Sequence, residues 1–188
     1  MIKAELRNKY LELRKALDPA DAEARSAEII ARLRRLPAFA AARGFLVYVA
    51  SKDNEVDTKP LIRSLLKHIY PVLAPVTEPG GHLLWSRLHD MADLEPARFG
   101  ILEPRLDARR ITKPPADSVV VAPGIAFSVD GWRIGYGGGY FDRFLANYGG
   151  PIIALAYDIQ IVTHIDNDPH DVPMDFIVTE TTIYRRPI

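Results

Sequence analysis

The sequence predicts an α/β protein whose mostly parallel sheet is covered by helices on both faces. Short, continuous apolar runs at residues 44–50, 118–122 and 152–156 have the character of strands buried on both sides. Segments with helical spacing alternate with those runs, the pattern of strand–helix–strand units. A glycine-dense stretch follows the 118–122 run, and open α/β sheets bind ligands beyond the carboxyl ends of their strands.

The first predicted element spans residues 2–17, where Ile2, Leu6, Leu13 and Leu17 recur at helical spacing and Lys3, Arg7 and Arg14 follow a neighbouring stripe. Asp18 can cap a second helix that Pro19 opens and that runs to about Leu36, where Pro37 interrupts. The first 35 residues carry nine basic and six acidic side chains, and the plain reading of that excess is a solvated helix pair. Residues 44–50 read as a buried strand, 51–57 as a polar loop, and 58–68 as a helix with Pro60 in its first turn. Residues 70–76 make a second strand, Gly80 and Gly81 a turn, and residues 83–85 a third strand, followed by an irregular stretch over 88–117. The 118–122 strand enters a turn at Pro123 and Gly124. After the glycine loop come a helix over about 139–148 and strands at 152–156 and 176–178. The 188 residues are expected to form a single domain, with 1–42 as a helical segment packed on the sheet.

Composition narrows the function. The 24 Lys and Arg balance 24 Asp and Glu, which argues against a general nucleic-acid or acidic-membrane binder. With no cysteine there is no disulfide, thiolate metal site or cysteine nucleophile. The charged start lacks the apolar core of a signal peptide, and no apolar run approaches the roughly 18 residues of a membrane span. A cytoplasmic monomer with no nucleic-acid or membrane partner is expected.

Residues 131–139 hold five of the chain's 12 glycines. Glycine allows positive φ and close backbone approach, and a run of exposed N–H groups leading into a helix forms an anion cradle. A run of tight turns is the plain alternative. Arg133, Tyr136, Tyr140 and Asp142 interleaved with the glycines favour a binding loop. There is no Gly-x-x-x-x-Gly-Lys-Ser/Thr, and Tyr140 stands where a dinucleotide fingerprint requires glycine or alanine, so the P-loop and Rossmann templates are both disfavoured.

The segment Val121-Ala122-Pro123-Gly124-Ile125-Ala126-Phe127, together with Gly131-Trp132-Arg133-Ile134-Gly135-Tyr136-Gly137-Gly138-Gly139-Tyr140-Phe141-Asp142-Arg143, closely resembles the signature of the 5-formyltetrahydrofolate cyclo-ligase family. Lys3-x-x-x-Arg7, Glu55-Val56-Asp57-Thr58, the stretch from Phe99 to Pro104 and the stretch from His170 to Glu180 resemble further family elements, in order along nearly the whole chain. Phe141 departs from the tyrosine of many members, so a second phenol there is not essential.

The resemblance implies a three-layer α/β/α sandwich and an ATP- and Mg²⁺-dependent ligase that converts 5-formyltetrahydrofolate, a reduced folate, to 5,10-methenyltetrahydrofolate with release of ADP and phosphate. Lys3, Arg7, Arg133, Gly135, Tyr136, Gly137, Gly138, Gly139, Tyr140, Phe141 and Asp142 would then contact ATP, with Arg133 and Tyr140 closest to the chemistry. Asp142 and the family-matched Asp175 would hold magnesium. Glu55, Asp57, Tyr136 and Tyr140 would contact the folate, with capping of the next helix as the rival role for Asp57. The five histidines form no metal-spaced cluster, and no general base stands out. The alternative function is a non-catalytic paralogue that binds a phosphorylated metabolite or folate.

Overall fold

The computed structural model describes residues 2–187. It opens with three helices, α1 (Lys3–Lys15), α2 (Pro19–Arg35) and α3 (Pro37–Ala40). Asp18 caps α2 by accepting hydrogen bonds from the backbone N–H groups of Ala20 and Asp21. The chain continues through β1 (Gly44–Val47), α4 (Lys59–Leu65), β2 (Val72–Glu78) and β3 (His82–Leu88), then a small hairpin of β4 (Leu94–Pro96) and β5 (Leu102–Pro104). The second half comprises β6 (Ser118–Ala122), β7 (Ala126–Ser128), β8 (Arg133–Ile134), α5 (Tyr140–Leu145), β9 (Ile152–Leu155), β10 (Ile161–Val162), β11 (Phe176–Val178) and β12 (Ile183–Arg185).

Seven strands form the central sheet in the order β12-β11-β9-β6-β1-β2-β3. The five inner strands run parallel, and the outer pairs β11–β12 and β2–β3 are antiparallel. Helices α2, α3 and α4 cover one face, where Ile29, Leu33, Phe39, Leu61 and Ile62 pack on Phe45, Val47, Val119 and Val121. Fully burying side chains of this kind is worth about 1.5–3 kcal/mol each. Helix α5 covers the other face, with Leu145, Phe141 and Phe144 against Leu46, Trp85, Val120 and Ala154. This is a three-layer α/β/α arrangement. Helix α1 lies apart from those layers, with Leu6 and Tyr10 packed on Ala126, Ile134 and Ile165.

Several elements differ from the sequence expectation. The first strand ends at Val47 rather than residue 50, because the Thr58 hydroxyl takes over the next backbone groups, donating to the Tyr48 carbonyl and accepting from the Ala50 N–H. The 88–117 stretch contains the β4–β5 hairpin, and the chain leading into the glycine segment, from Ala126 to Ile134, contributes β7 and β8 to a three-stranded sheet with β10. Strands of two and three residues are too short to carry readable periodicity. Pro75 sits inside β2 without breaking the sheet: β1 and β2 pair only at Val72 and Leu73, so Pro75 lies beyond that ladder, where its missing N–H costs nothing. No described helix is long and apolar enough to cross a membrane.

Candidate active site

From β1 the chain crosses through α4 to β2 on one side of the sheet, and from β6 it crosses through α5 to β9 on the other. The order reverses between β1 and β6. Their carboxyl ends splay apart there and leave the crevice in which open α/β sheets take ligands. A cavity of about 530 Å³ occupies it, walled by Tyr48 and Val49 after β1, Pro123 after β6, and the glycine loop.

The loop has the character of a cradle. None of the backbone N–H groups from Gly135 through Asp142 donates to an acceptor among the described residues. Two of its carbonyls, by contrast, are held: Arg7 Nε donates to Gly135 O at 2.9 Å and Arg143 to Gly138 O at 2.5 Å, and Arg143 also donates to Gly81 O in the β2–β3 turn at 2.9 Å. The loop is therefore fixed through its acceptors while its donors stay free. Glycine is required at Gly137 (φ 98°) and at Gly139 (φ 67°), which turns the chain into α5.

Beneath the loop, Arg133 is almost fully buried. Its Nη2 donates to Asp142 Oδ1 at 2.8 Å and its Nη1 to the Pro123 carbonyl at 3.1 Å, while Nε has no partner. The ion pair ties the base of the loop to the first turn of α5. Phe141 lies under it, 6.3 Å from Trp85 ring to ring, and Tyr140 stacks edge-on with Phe99 at 6.5 Å.

Tyr136 bridges two walls of the cavity. Its hydroxyl donates to Glu55 Oε1 at 3.2 Å and accepts from Arg14 Nη2 at 2.5 Å, and Lys52 sits 4.6 Å from the ring centre. Burial and the neighbouring Glu55 charge push the phenol well above its ordinary value, against the pull of Arg14, so it stays protonated. Glu55 Oε2 also accepts from the Ser51 N–H at 3.0 Å.

Arg14 went unrecognised in the sequence as a site organiser. It is 1% exposed, and besides Tyr136 it donates to the carbonyls of Asp53 at 2.7 Å and Gly124 at 2.8 Å. One guanidinium thus fastens the loop after β1, the turn after β6 and the glycine loop to α1. The signal was present as the stripe of Lys3, Arg7 and Arg14, but spacing alone cannot separate a solvated stripe from one that docks.

At the other end of α1, Lys3 Nζ lies 2.5 Å from Asp168 Oδ2 and also donates to Asp171. Burial alone would lower the Lys3 ammonium, but the hydrogen bonds and charges of the two aspartates outweigh it and raise it net, while Lys3 lowers the Asp168 carboxyl. Both aspartates border the cavity, Asp168 just before the stretch that resembles the family's C-terminal element and Asp171 at its start.

Two expectations require correction. Asp57 does not line this cavity. It accepts from the Lys59 backbone N–H at 3.0 Å and pairs with the Lys59 ammonium, so it has the helix-start role that rivalled substrate contact. Asp175 precedes β11 at the amino edge of the sheet, where it accepts from the Ile152 N–H at 2.9 Å and pairs with Arg186. It does not meet Asp142, which lies at the carboxyl edge and is engaged by Arg133. Magnesium requires hard oxygens, usually one or two carboxylates beside phosphates. The predicted pair does not assemble, and the described residues hold no group of three His, Cys, Asp or Glu able to form a cage. The predicted Asp142–Asp175 pair is therefore not a shared magnesium site, and Asp142 alone of the two borders the cavity where phosphates would lie. The other predicted residues, Lys3, Arg7, Glu55, Arg133 and the stretch from Gly135 to Asp142, all border the one cavity.

A sequence model of the 5-formyltetrahydrofolate cyclo-ligase family matches residues 1–180. The chain is 32% identical to the 5-formyltetrahydrofolate cyclo-ligase of Escherichia coli K12 over 91% of its own length and 96% of the relative's. It resembles the solved 5,10-methenyltetrahydrofolate synthetase of Aquifex aeolicus at 33% identity and a TM-score of 0.85, covering 98% and 93% of the two chains. The synthetase of Mycoplasma pneumoniae, at 21% identity and a TM-score of 0.76, shares the fold.

Proposed function

The chain belongs to the 5-formyltetrahydrofolate cyclo-ligase family, and on that premise we propose that its cavity binds ATP and 5-formyltetrahydrofolate together and closes the folate to the 5,10-methenyl form through a phosphorylated formyl group. The observation that carries this reading is the run of unpaired N–H groups from Gly135 through Asp142 at the rim of a crevice formed by the strand ends. Such a run is matched to phosphate oxygens, which accept hydrogen bonds and carry negative charge.

A formamide oxygen is a poor leaving group. In the proposed sequence it attacks the γ-phosphorus of ATP, ADP departs, and the formyl carbon becomes strongly electrophilic. N10 then attacks that carbon and the ring closes; the N10 proton is released as the C–O bond breaks and inorganic phosphate leaves. The protein's contribution is positioning and charge stabilisation. Loop amides and the Arg7 guanidinium hold the phosphates. The Arg133–Asp142 pair fixes the loop that aims them, and Tyr140, whose hydroxyl has no partner among the described residues, faces the cavity as a donor for a transferring oxygen. Glu55, on the wall facing the loop, and Tyr136, whose hydroxyl reaches across to it, contact the folate. No step is assigned to a metal ion.

The test is the absorbance of methenyltetrahydrofolate in the near ultraviolet. Purified protein given 5-formyltetrahydrofolate is expected to generate it with ATP and not without. A folded protein that binds both ligands and forms no product would instead be a binding paralogue.

A further inference from the structure

The cavity has two chemically distinct ends. One is the amide-lined ribbon with Lys3 and Arg7. The other is a slot walled by Pro75, Leu83, Phe99 and Ile101, with Thr77 and Glu103 at its floor. Glu103 is 2% exposed, and the mechanism above gives it no task. Its Oε1 is saturated by Thr77, which donates from its backbone N–H at 3.0 Å and its hydroxyl at 2.7 Å. Its Oε2 receives no hydrogen bond from any described residue. The nearest cation, Arg109 Nη2, stands 3.6 Å away, close enough to balance charge and too far to donate. The β4–β5 hairpin that carries Glu103 is itself pinned, because the Leu102 N–H donates to the Ser51 hydroxyl. Glu55 differs: each of its oxygens already accepts a hydrogen bond, from Tyr136 and Ser51.

A carboxylate that lines a largely apolar slot, with one oxygen taking no hydrogen bond from the protein, is free to accept one from a ligand. The slot suits a flat or nearly flat heterocycle with N–H groups on one edge. We propose that Glu103 reads the 2-amino and N3–H edge of the pterin ring and is a specificity-determining residue of the site. This rests on the folate reading above and adds which end of the cavity holds the ring. The adenine of ATP also carries an amino group, so the experiment separates the two.

Wild-type protein is titrated with pterin (2-amino-4-oxopteridine) and with lumazine (2,4-dioxopteridine), which has an acceptor in place of the amino group. Pterin is expected to bind at least about tenfold more tightly, because a site built for a hydrogen bond rejects an analogue that cannot make it. In Glu103→Gln, with folding checked by thermal melting, the preference is expected to fall to near unity. The KM for 5-formyltetrahydrofolate is expected to rise about tenfold while the KM for ATP stays constant. Equal binding of pterin and lumazine by the wild type overturns the proposal even if the variant does not fold. A rise in the ATP KM alone overturns it in favour of an adenine slot. If the wild type prefers pterin yet forms no methenyltetrahydrofolate, the subsite stands and the catalytic reading falls.

Discussion

The two ends of α1 are held in opposite ways. Near its carboxyl end, Arg14 is buried and donates to three acceptors, and the Asn54 amide donates to the carbonyls of Arg14, Lys15 and Leu17, closing the helix. Near its amino end, Lys3 rests on two aspartates of a partly exposed loop, and Arg7 grips one carbonyl of the glycine ribbon. A buried arginine facing fixed acceptors cannot be removed cheaply. An ion pair with a quarter-exposed lysine adds little to stability and can exchange partners. One helix thus serves as an anchor at one end and as a set of exchangeable cations at the other.

The sharpest way to break this contrast is Arg14→Ala. It removes the donor to the Asp53 carbonyl and one donor each from Gly124, which keeps Gln160, and Tyr136, which keeps Glu55. It also empties a buried guanidinium site, so the melting midpoint is expected to fall by roughly 10 °C or more. Arg14→Lys should recover only part of that loss. A midpoint unchanged in the alanine variant would show that the anchor lies elsewhere. Next in size is Arg133→Ala, which frees Asp142 and releases the base of the ribbon; kcat/KM for ATP is expected to drop about a hundredfold. An unaltered ATP dependence would remove Arg133 from nucleotide use. Glu55→Gln should raise the folate KM roughly tenfold, one charge-assisted hydrogen bond being worth about 1.5 kcal/mol.

The smallest effect belongs to the exchangeable end. Lys3→Ala should change stability by less than about 1 kcal/mol and raise the ATP KM by about fivefold or less, with a weaker dependence on salt. Its pH signature has a definite sign. The Asp168 carboxyl is lowered from 3.8, so its contribution is present above that value and is lost as pH falls through the lower folded one. The Lys3 ammonium is raised from 10.5, so its contribution is present below that value and is lost as pH rises through the higher folded one. Amide exchange in the first turn of α1 should therefore stay slow across the neutral range and quicken only beyond those limits. In Lys3→Ala both dependences should vanish.

Legibility in the sequence followed the range of the interactions. Residues 44–47, 118–122 and 152–155 declared themselves because a strand buried on both faces must be apolar throughout. The glycine ribbon was readable because its backbone conformation restricts residue type. Asp142 was singled out by its place after the glycine loop and Asp175 only through the family resemblance; the two occupy opposite edges of the sheet, and strand direction decides which edge. Arg14 was indistinguishable from a solvated stripe until the loops after β1 and β6 closed over it. Glu103 lies in a three-residue strand among prolines and glycine, where no pattern separates an exposed carboxylate from a buried one.

The aspartates that hold Lys3 act as an internal rival for any incoming polyanion. On the proposed reading, in which Lys3 contacts the nucleotide, the ammonium would have to be drawn away from two carboxylates, which would lower the net affinity. When the spent nucleotide loosens, the same carboxylates stand ready to take the ammonium back. The contact that weakens capture therefore also hastens departure and suits a site that must empty after every turnover.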